Sequence, residues 1–209
     1  MMKLLIFGST GGTGRCLLEQ ALSQGHHVTA FARRPEKIQL QHRNLKIAQG
    51  DILDYESVAA AMPGQDAVLS ALGVYLFRKN TVLSDGTRNI INAMEAHGLK
   101  RFVCESSLGI SDSRDQLGLL TEFILYPLLL RHFFPDKERQ ELHIRQSHLD
   151  WVVVRPAQLT NGKFTGHFRH GFGPHEKIKG KISRADTAAF MLQQLTEDLY
   201  VHKTPGLSY

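Results

Sequence analysis

The sequence predicts an α/β fold: a single domain built on a doubly wound parallel sheet with helices on both faces. Three observations carry that prediction. Short apolar runs alternate with helix-like segments along the whole chain, the order that parallel strands joined by right-handed crossovers require. The runs are Val, Ile, Leu and Phe without polar alternation, as expected of strands covered on both faces. A cluster of glycines stands where the first strand turns into the first helix. At 209 residues the chain suits one domain, 1–209, with a substantial core, and no linker, repeat or low-complexity tract divides it.

The elements follow in order. "KLLIFG" (3–8) reads as a buried strand and "GRCLLEQALSQG" (14–25) as a helix ended by Gly25. "HVTAFAR" (27–33) and "LKIAQGD" (45–51) are strands, and "DYESVAAAMPG" (54–64) is a short helix. "DAVLSALG" (66–73) is the fourth strand, followed by the helix "SDGTRNIINAMEAHGL" (84–99) with Ser84 as its N-cap. "RFVCESS" (101–107) and "DWVVVRP" (150–156) are strands flanking the helical stretch "DKERQELHIRQSHL" (136–149). The last helix, "SRADTAAFMLQQLTED" (183–198), begins at a capping Ser183.

Composition excludes several function classes. The two cysteines, Cys16 and Cys104, are far apart and form no CxxC, so neither a disulfide framework nor a zinc site is expected, and a reducing cytoplasm fits. "LLIF" is too short for a secretory apolar core. The most apolar stretch, 117–134, contains Glu122, Pro127 and Arg131 and falls short of the ~20 clean residues that span a bilayer; it reads as a buried helix or a loop over a pocket. The net charge of +5 is scattered and comes with no nucleic-acid-binding signature, so it suits anionic small molecules better than nucleic acid. The eleven histidines show no HExxH or other metal spacing, and His167, His170 and His175 fall in a glycine-rich segment that reads as a loop. No metal is expected.

The glycines are Gly8, Gly11 and Gly14 in the spacing GxxGxxG, with Gly12 besides. At a first strand–helix junction this permits a tight turn and lets backbone approach a pyrophosphate seated on the helix N-terminus, the Rossmann-like arrangement. Ser9, Thr10 and Thr13 can add hydroxyl donors. The second strand ends "FARRPEK", where an NAD site would carry an acid for the ribose 2′-OH. Arg33 and Arg34 suit a 2′-phosphate instead, so NADP(H) is the expected cofactor; a solvated basic turn is the alternative. Asp51 and Ile52 follow the third strand, where a carboxylate can accept from the adenine amino group or cap a helix. Leu72 and Gly73 follow the fourth, beside the ribose or in an ordinary turn.

For chemistry, Ser106 and Ser107 end the fifth strand at the carboxyl edge of the sheet, where a hydroxyl can orient a substrate, relay a proton or cap a helix. Pro156, Ala157 and Gln158 end the sixth, where backbone groups can hold a nicotinamide carboxamide. Tyr75 and Lys79 have YxxxK spacing but precede the serines, the wrong order for a short-chain dehydrogenase pair, and no YxxxK follows Ser107. Tyrosine-driven alcohol oxidation is disfavoured.

"IFGSTGGTGR", "DAVLSALG", "SDGTRNIINAMEAHG", "DWVVVRPAQLTNGKFTG" and "ISRADTAAFML" together resemble the NAD(P)-binding atypical short-chain dehydrogenase family, in its biliverdin-IXβ reductase and NADPH-dependent flavin reductase branch. The resemblance runs from Lys3 to the terminal "LSY". It implies hydride transfer from NADPH to flavins, biliverdin-type linear tetrapyrroles and some quinones. The family's catalytic serine falls on Ser107, its neighbouring threonine on Ser106, and its 2′-phosphate arginine on Arg33; a commonly acidic neighbour is Arg34 here. Two departures stand out. The chain reads "AQL" after the sixth strand, where the animal enzyme has a histidine, and segment 111–135 is longer and more apolar than the family's. The acceptor pocket is expected between the strand-end loops and segment 108–135, in a cytoplasmic monomer. The rival reading is a non-catalytic NADP sensor or assembly factor of the NmrA-like type on the same fold.

Overall fold

The computed structural model describes residues 1–73, 81–110, 134–172 and 178–209. Strands β1 (Lys3–Phe7), β2 (His27–Ala32), β3 (Leu45–Gln49), β4 (Ala67–Ser70), β5 (Arg101–Glu105) and β6 (Asp150–Pro156) are parallel. Short strands follow: β7 (Gln158–Thr160), β8 (Arg169–Gly171), β9 (Lys181–Ser183) and β10 (Gly206–Ser208). The helices are α1 (Gly12–Ser23), α2 (Tyr55–Ala60), α3 (Val82–Ala96), α4 (Phe134–Gln146) and α5 (Arg184–Gln193), with a 3-10 turn over Pro35–Lys37. The main sheet runs β3-β2-β1-β4-β5-β6-β10-β8, with β8 antiparallel at its edge, and β7 pairs with β9 beside it.

Alternation along each central strand sends side chains to two separate cores. On one face Leu4, Ile6, Ala67, Leu69, Val152 and Val154 pack with Leu17, Leu18 and Ala21 of α1 and Ala188, Met191 and Leu192 of α5. On the other, Leu5, Phe7, Val68, Phe102 and Val153 pack with Val58 of α2, Ile90 and Met94 of α3 and Ile144 of α4. Helices therefore cover both faces, and the doubly wound sheet expected from the sequence is the one observed. Phe7, Phe102 and Phe190 are among the largest fully buried side chains, each the kind of site where truncation to Ala costs about 3–5 kcal/mol.

Several boundaries differ from the sequence reading, each for a physical reason. Helix α1 begins at Gly12, two residues early, because Gly11 already takes the extended N-cap conformation. Asp54, not Asp51, caps α2, accepting from Glu56 N at 3.3 Å. Helix α3 begins at Val82 with Thr81 as N-cap, so Ser84 is not the cap but lies in the first turn. Its start is fixed from outside. The Asp136 carboxylate of α4 accepts from Leu83 N (3.0 Å), Ser84 N (3.3 Å) and Ser84 Oγ (2.5 Å), satisfying N–H groups that an isolated helix leaves open. Ser183 does cap α5, accepting from Asp186 N at 2.9 Å. Strands β7 to β10, three residues each, went unforeseen. His170 accordingly lies in β8 rather than a loop, its Nδ1 2.7 Å from the Tyr200 hydroxyl.

Tyr75, Lys79, His175 and nearly all of segment 111–135 lie outside the described residues. Among the described residues no helix is long and apolar enough to cross a membrane.

Candidate active site

The carboxyl ends of the six parallel strands share one edge. The strand order reverses between β1 and β4, and that switch point opens a crevice at this edge. Gly8 leaves β1 with φ +77°, a conformation glycine adopts freely, and a Cβ on it would lie 2.3 Å from the Ala71 carbonyl oxygen. A Cβ on Gly14 would lie 2.1 Å from Gly8 O. Both glycines are thus required by backbone packing. Gly11 and Gly12 are different: both are exposed, and they open α1 with no side-chain cap and no acidic residue in its first turn. The N-terminal N–H groups and the positive end of the helix dipole are presented to the crevice, the arrangement that receives an anion.

The hydroxyls expected on that anion go elsewhere. Ser9 Oγ donates to Phe31 O at 3.0 Å, tying the turn to β2. Thr13 Oγ1 donates to Glu105 Oε1 at 2.8 Å, tying α1 to β5. Both side chains are buried, so these residues can offer a phosphate only backbone; Thr10 alone is half-exposed.

At the end of β2, Arg33 and Arg34 are exposed. Arg33 Nη1 lies 3.9 Å from Asp51 Oδ2, the arginine side chain exposed and the aspartate partly so, an ion pair of little strength that leaves the guanidinium available. Asp51 Oδ1 accepts from Leu53 N at 3.0 Å, closing a local turn. The Ile52 carbonyl accepts from Asn89 Nδ2 at 3.0 Å, and its side chain fills the notch at Gly86, whose Cβ would meet Ile52 Cδ1 at 2.4 Å. Leu72 packs on the second core and Gly73 is exposed.

The ends of β5 and β6 are cross-linked. Leu108 N donates to Pro156 O at 3.0 Å, which brings Ser107 beside the turn after β6. Ser107 is half-buried and its Oγ donates to Leu108 O at 3.1 Å. Ser106 faces the other way: buried, it donates to Glu141 Oε1 at 2.6 Å. Glu141 in turn receives Arg155 Nε (3.1 Å) and Nη2 (2.6 Å), with Arg145 Nη2 at 3.6 Å from the same carboxylate. Two N–H groups of the expected backbone cradle at 156–158 are bonded within the fold. Ala157 N donates to Leu207 O and Gln158 N to Gly180 O, because β10 and the 180 turn occupy them. The exposed Gln158 side chain remains to face a ligand.

Sequence reasoning missed the polar residues beneath this edge. Glu105 is buried, and burial pushes its carboxyl up, against the pull of Lys137, the Thr13 hydrogen bond and Arg184. Lys137 Nζ donates to Glu105 O at 2.9 Å and is itself buried. Burial likewise pushes the Cys104 thiol up to about 12, which makes it inert. The missed signal was periodicity: Asp136, Lys137, Gln140 and Glu141 recur at one-helix-face spacing in α4 and all are buried, though "DKERQE" looks like a solvated face.

The sequence from residue 8 to 198 matches the NAD(P)H-binding family. The chain belongs to that family. Among its relatives is an uncharacterized chloroplastic protein of Arabidopsis thaliana, 28% identical over 207 residues, 94% of this chain and 72% of the plant protein. The photosystem II assembly factor Ycf39 of Synechocystis is 28% identical over 77% of this chain, which spans 46% of Ycf39's length. Among solved structures, ChuY of Escherichia coli O157:H7, described as an anaerobilin reductase, superposes with a TM-score of 0.82 at 24% identity, covering 99% of this chain and 96% of ChuY, a likeness that shows a shared fold. For a member of the NAD(P)H-binding family the open first turn of α1 fits the group to be held: a pyrophosphate would meet backbone N–H and exposed glycine there, with no acidic side chain in that turn to oppose it.

Proposed function

We propose that this chain is an NADPH-dependent oxidoreductase that transfers hydride to flavins or biliverdin-type linear tetrapyrroles. The observation that carries the reading is Ser107, a half-buried hydroxyl at the carboxyl end of β5, hydrogen-bonded into the loop that joins the β5 and β6 ends. Membership of the NAD(P)H-binding family supports the cofactor, and the name of ChuY supports a tetrapyrrole among the acceptors.

The cofactor is assigned to the glycine turn, Gly8 to Gly14, through its backbone. Arg33 and Arg34 select the 2′-phosphate. Asp51 and Ile52 take the adenine side, Leu72 and Gly73 the ribose, and the Pro156-Ala157-Gln158 turn the nicotinamide side, through the Gln158 side chain. Bound NADPH supplies the hydride. Ser107 orients the acceptor and relays to it a proton drawn from water, since a neutral serine is too weak an acid to be the sole source at pH 7. Ser106 holds the strand end through Glu141 and does not touch the reacting atoms. Placing the acceptor against these groups supplies much of the rate.

A steady-state screen of NADPH against NADH with flavins, biliverdin isomers and quinones tests the reading. NADPH oxidation with at least one acceptor is expected, and Ser107→Ala should cut its turnover by about 10²-fold with NADPH affinity unchanged. Unchanged turnover with every competent acceptor removes Ser107 from the mechanism. The likeness to Ycf39 favours a second reading, an NADP-binding assembly factor; tight NADPH binding without turnover on any acceptor is its signature.

A further inference from the structure

We propose that Arg184, at the start of α5, is a second cationic contact for the cofactor and grips its pyrophosphate from the side of the glycine turn opposite Arg33. The proposal rests on membership of the NAD(P)H-binding family and not on the reductase reading.

The geometry points to it. A Cβ on Gly12 would lie 2.5 Å from Arg184 Cδ and 2.6 Å from Nε, so the arginine stem lies directly over the first residue of α1. That is the uncapped, acid-free helix end described above. The missing side chain of Gly12 is therefore what admits the arginine. Arg184 is itself fixed. Ser183 caps α5 and the Asp186 carboxylate behind it accepts from Ser183 Oγ (2.9 Å), Tyr209 OH (2.7 Å), Thr165 N and Gly166 N (both 2.9 Å).

The guanidinium is held but not neutralised. Nη1 donates to the neutral amide oxygen of Asn161 at 2.6 Å, and among the described residues no carboxylate lies within ion-pair distance of it. The remaining N–H groups make no hydrogen bond to a described residue. The acid that feels its charge, Glu105, is buried, occupied by Thr13 and pushed towards its neutral form. A cation in the first turn of a helix also opposes that helix's dipole, so α5's own dipole does not favour an arginine here. The open N-terminus of α1 and one unneutralised guanidinium converge on a single exposed glycine pair, and the ligand that chemistry selects is a diphosphate.

Arg33 and Arg184 then divide the cofactor between them. Arg33 sits at the adenosine end and reads the 2′-phosphate; Arg184 contacts the diphosphate that NADH and NADPH share. The test is calorimetric titration of the full chain and of Arg184→Ala, Arg184→Gln and Arg33→Ala with NADPH, NADH, ADP-ribose and 2′,5′-ADP, which has a 2′-phosphate but no pyrophosphate. Both Arg184 variants should weaken NADPH, NADH and ADP-ribose by at least about 10-fold, the scale of one charge-assisted hydrogen bond, and leave 2′,5′-ADP within about 2-fold. Arg33→Ala should do the reverse, weakening NADPH and 2′,5′-ADP and sparing NADH. Wild-type affinity for NADH in Arg184→Gln, which keeps a stem and an amide donor for Asn161, overturns the proposal. So does an equal loss for 2′,5′-ADP, which would mark general damage to the site.

Discussion

Arg155→Met tests whether the buried ion pair beneath the serines stabilises the fold. Arg155 and Glu141 are 2% and 1% exposed and meet through two hydrogen bonds, at 3.1 and 2.6 Å. Removing one partner of such a pair strands the other charge, a loss of about 3–5 kcal/mol. Here two groups soften it: Arg145, partly exposed, stands 3.6 Å from the same carboxylate, and Ser106 still donates at 2.6 Å. The expected cost is therefore near the lower end, about 3 kcal/mol, a large share of the 5–15 kcal/mol that holds a domain folded. Glu141→Met takes the carboxylate from Arg155 and Ser106 together and should cost about 3–5 kcal/mol. The double variant replaces the pair by apolar side chains and should return to within about 2 kcal/mol of wild type, so the two losses do not add. Urea unfolding at pH 7 with a common m-value reads all three. If Arg155→Met costs under about 1 kcal/mol, or the single losses sum to the double, the pair is not what holds the strand end, and Ser106 has no anchor through it.

Three further expectations concern the same edge. Asp186 is buried, which alone raises its pKa, but the hydrogen bonds from Tyr209, Thr165, Gly166 and Ser183 outweigh this and hold it below the ordinary carboxylate value. Its contribution is thus present above the unfolded pKa of about 3.9 and lost as pH falls through the folded value; the stability gap to Asp186→Asn should close on acidification, and a pH-independent gap refutes it. Glu105 has the opposite sign. Its raised pKa means a contribution complete below about 4.5 and lost as pH rises, so Glu105→Gln, which can still accept from Thr13, should gain on wild type between pH 4 and 8 in chemical unfolding, and parallel curves would contradict the reading. Gly14→Ala puts a methyl 2.1 Å from a backbone oxygen and should open the turn, lowering Tm by several degrees and weakening NADPH together; a variant that loses neither shows that the turn has room to yield.

Much of the fold was legible because the chain repeats one physical statement. Leu4 to Phe7, Val68 and Leu69, and Val152 to Val154 are apolar on both faces, and only a doubly covered sheet buries both. What stayed hidden depends on partners distant in sequence. Helix α3 starts after its N-cap Thr81, where the Asp136 carboxylate more than fifty residues away receives N–H groups of the first turn, and nothing local to the sequence favours Thr81 over Ser84 as the cap. The burial of the α4 charges is not legible because charged side chains seldom bury without partners, and the partners, Arg155 and Ser106, lie on β6 and after β5. Strands β7 to β10 are three residues each, too short for any periodicity to announce them.

The same distinction runs through the candidate site. A glycine turn is readable because what it supplies, bare backbone at a helix end, is a property of the residues themselves. A hydroxyl is not, since its target depends on whatever the fold brings within 3 Å. Ser9 turned out to serve Phe31, Thr13 to serve Glu105 and Ser106 to serve Glu141, while Ser107, two residues beyond Glu105, is only half-buried. Of the hydroxyls marked for ligand or chemistry, then, three fasten the glycine turn and the β5 end to the rest of the sheet. Thr10 and Ser107 are the two that stay half-exposed, Ser107 bonded among the described residues only to the carbonyl of its neighbour Leu108, and this is why removing Ser107 should touch turnover, whereas removing Ser9, Thr13 or Ser106 should first touch stability.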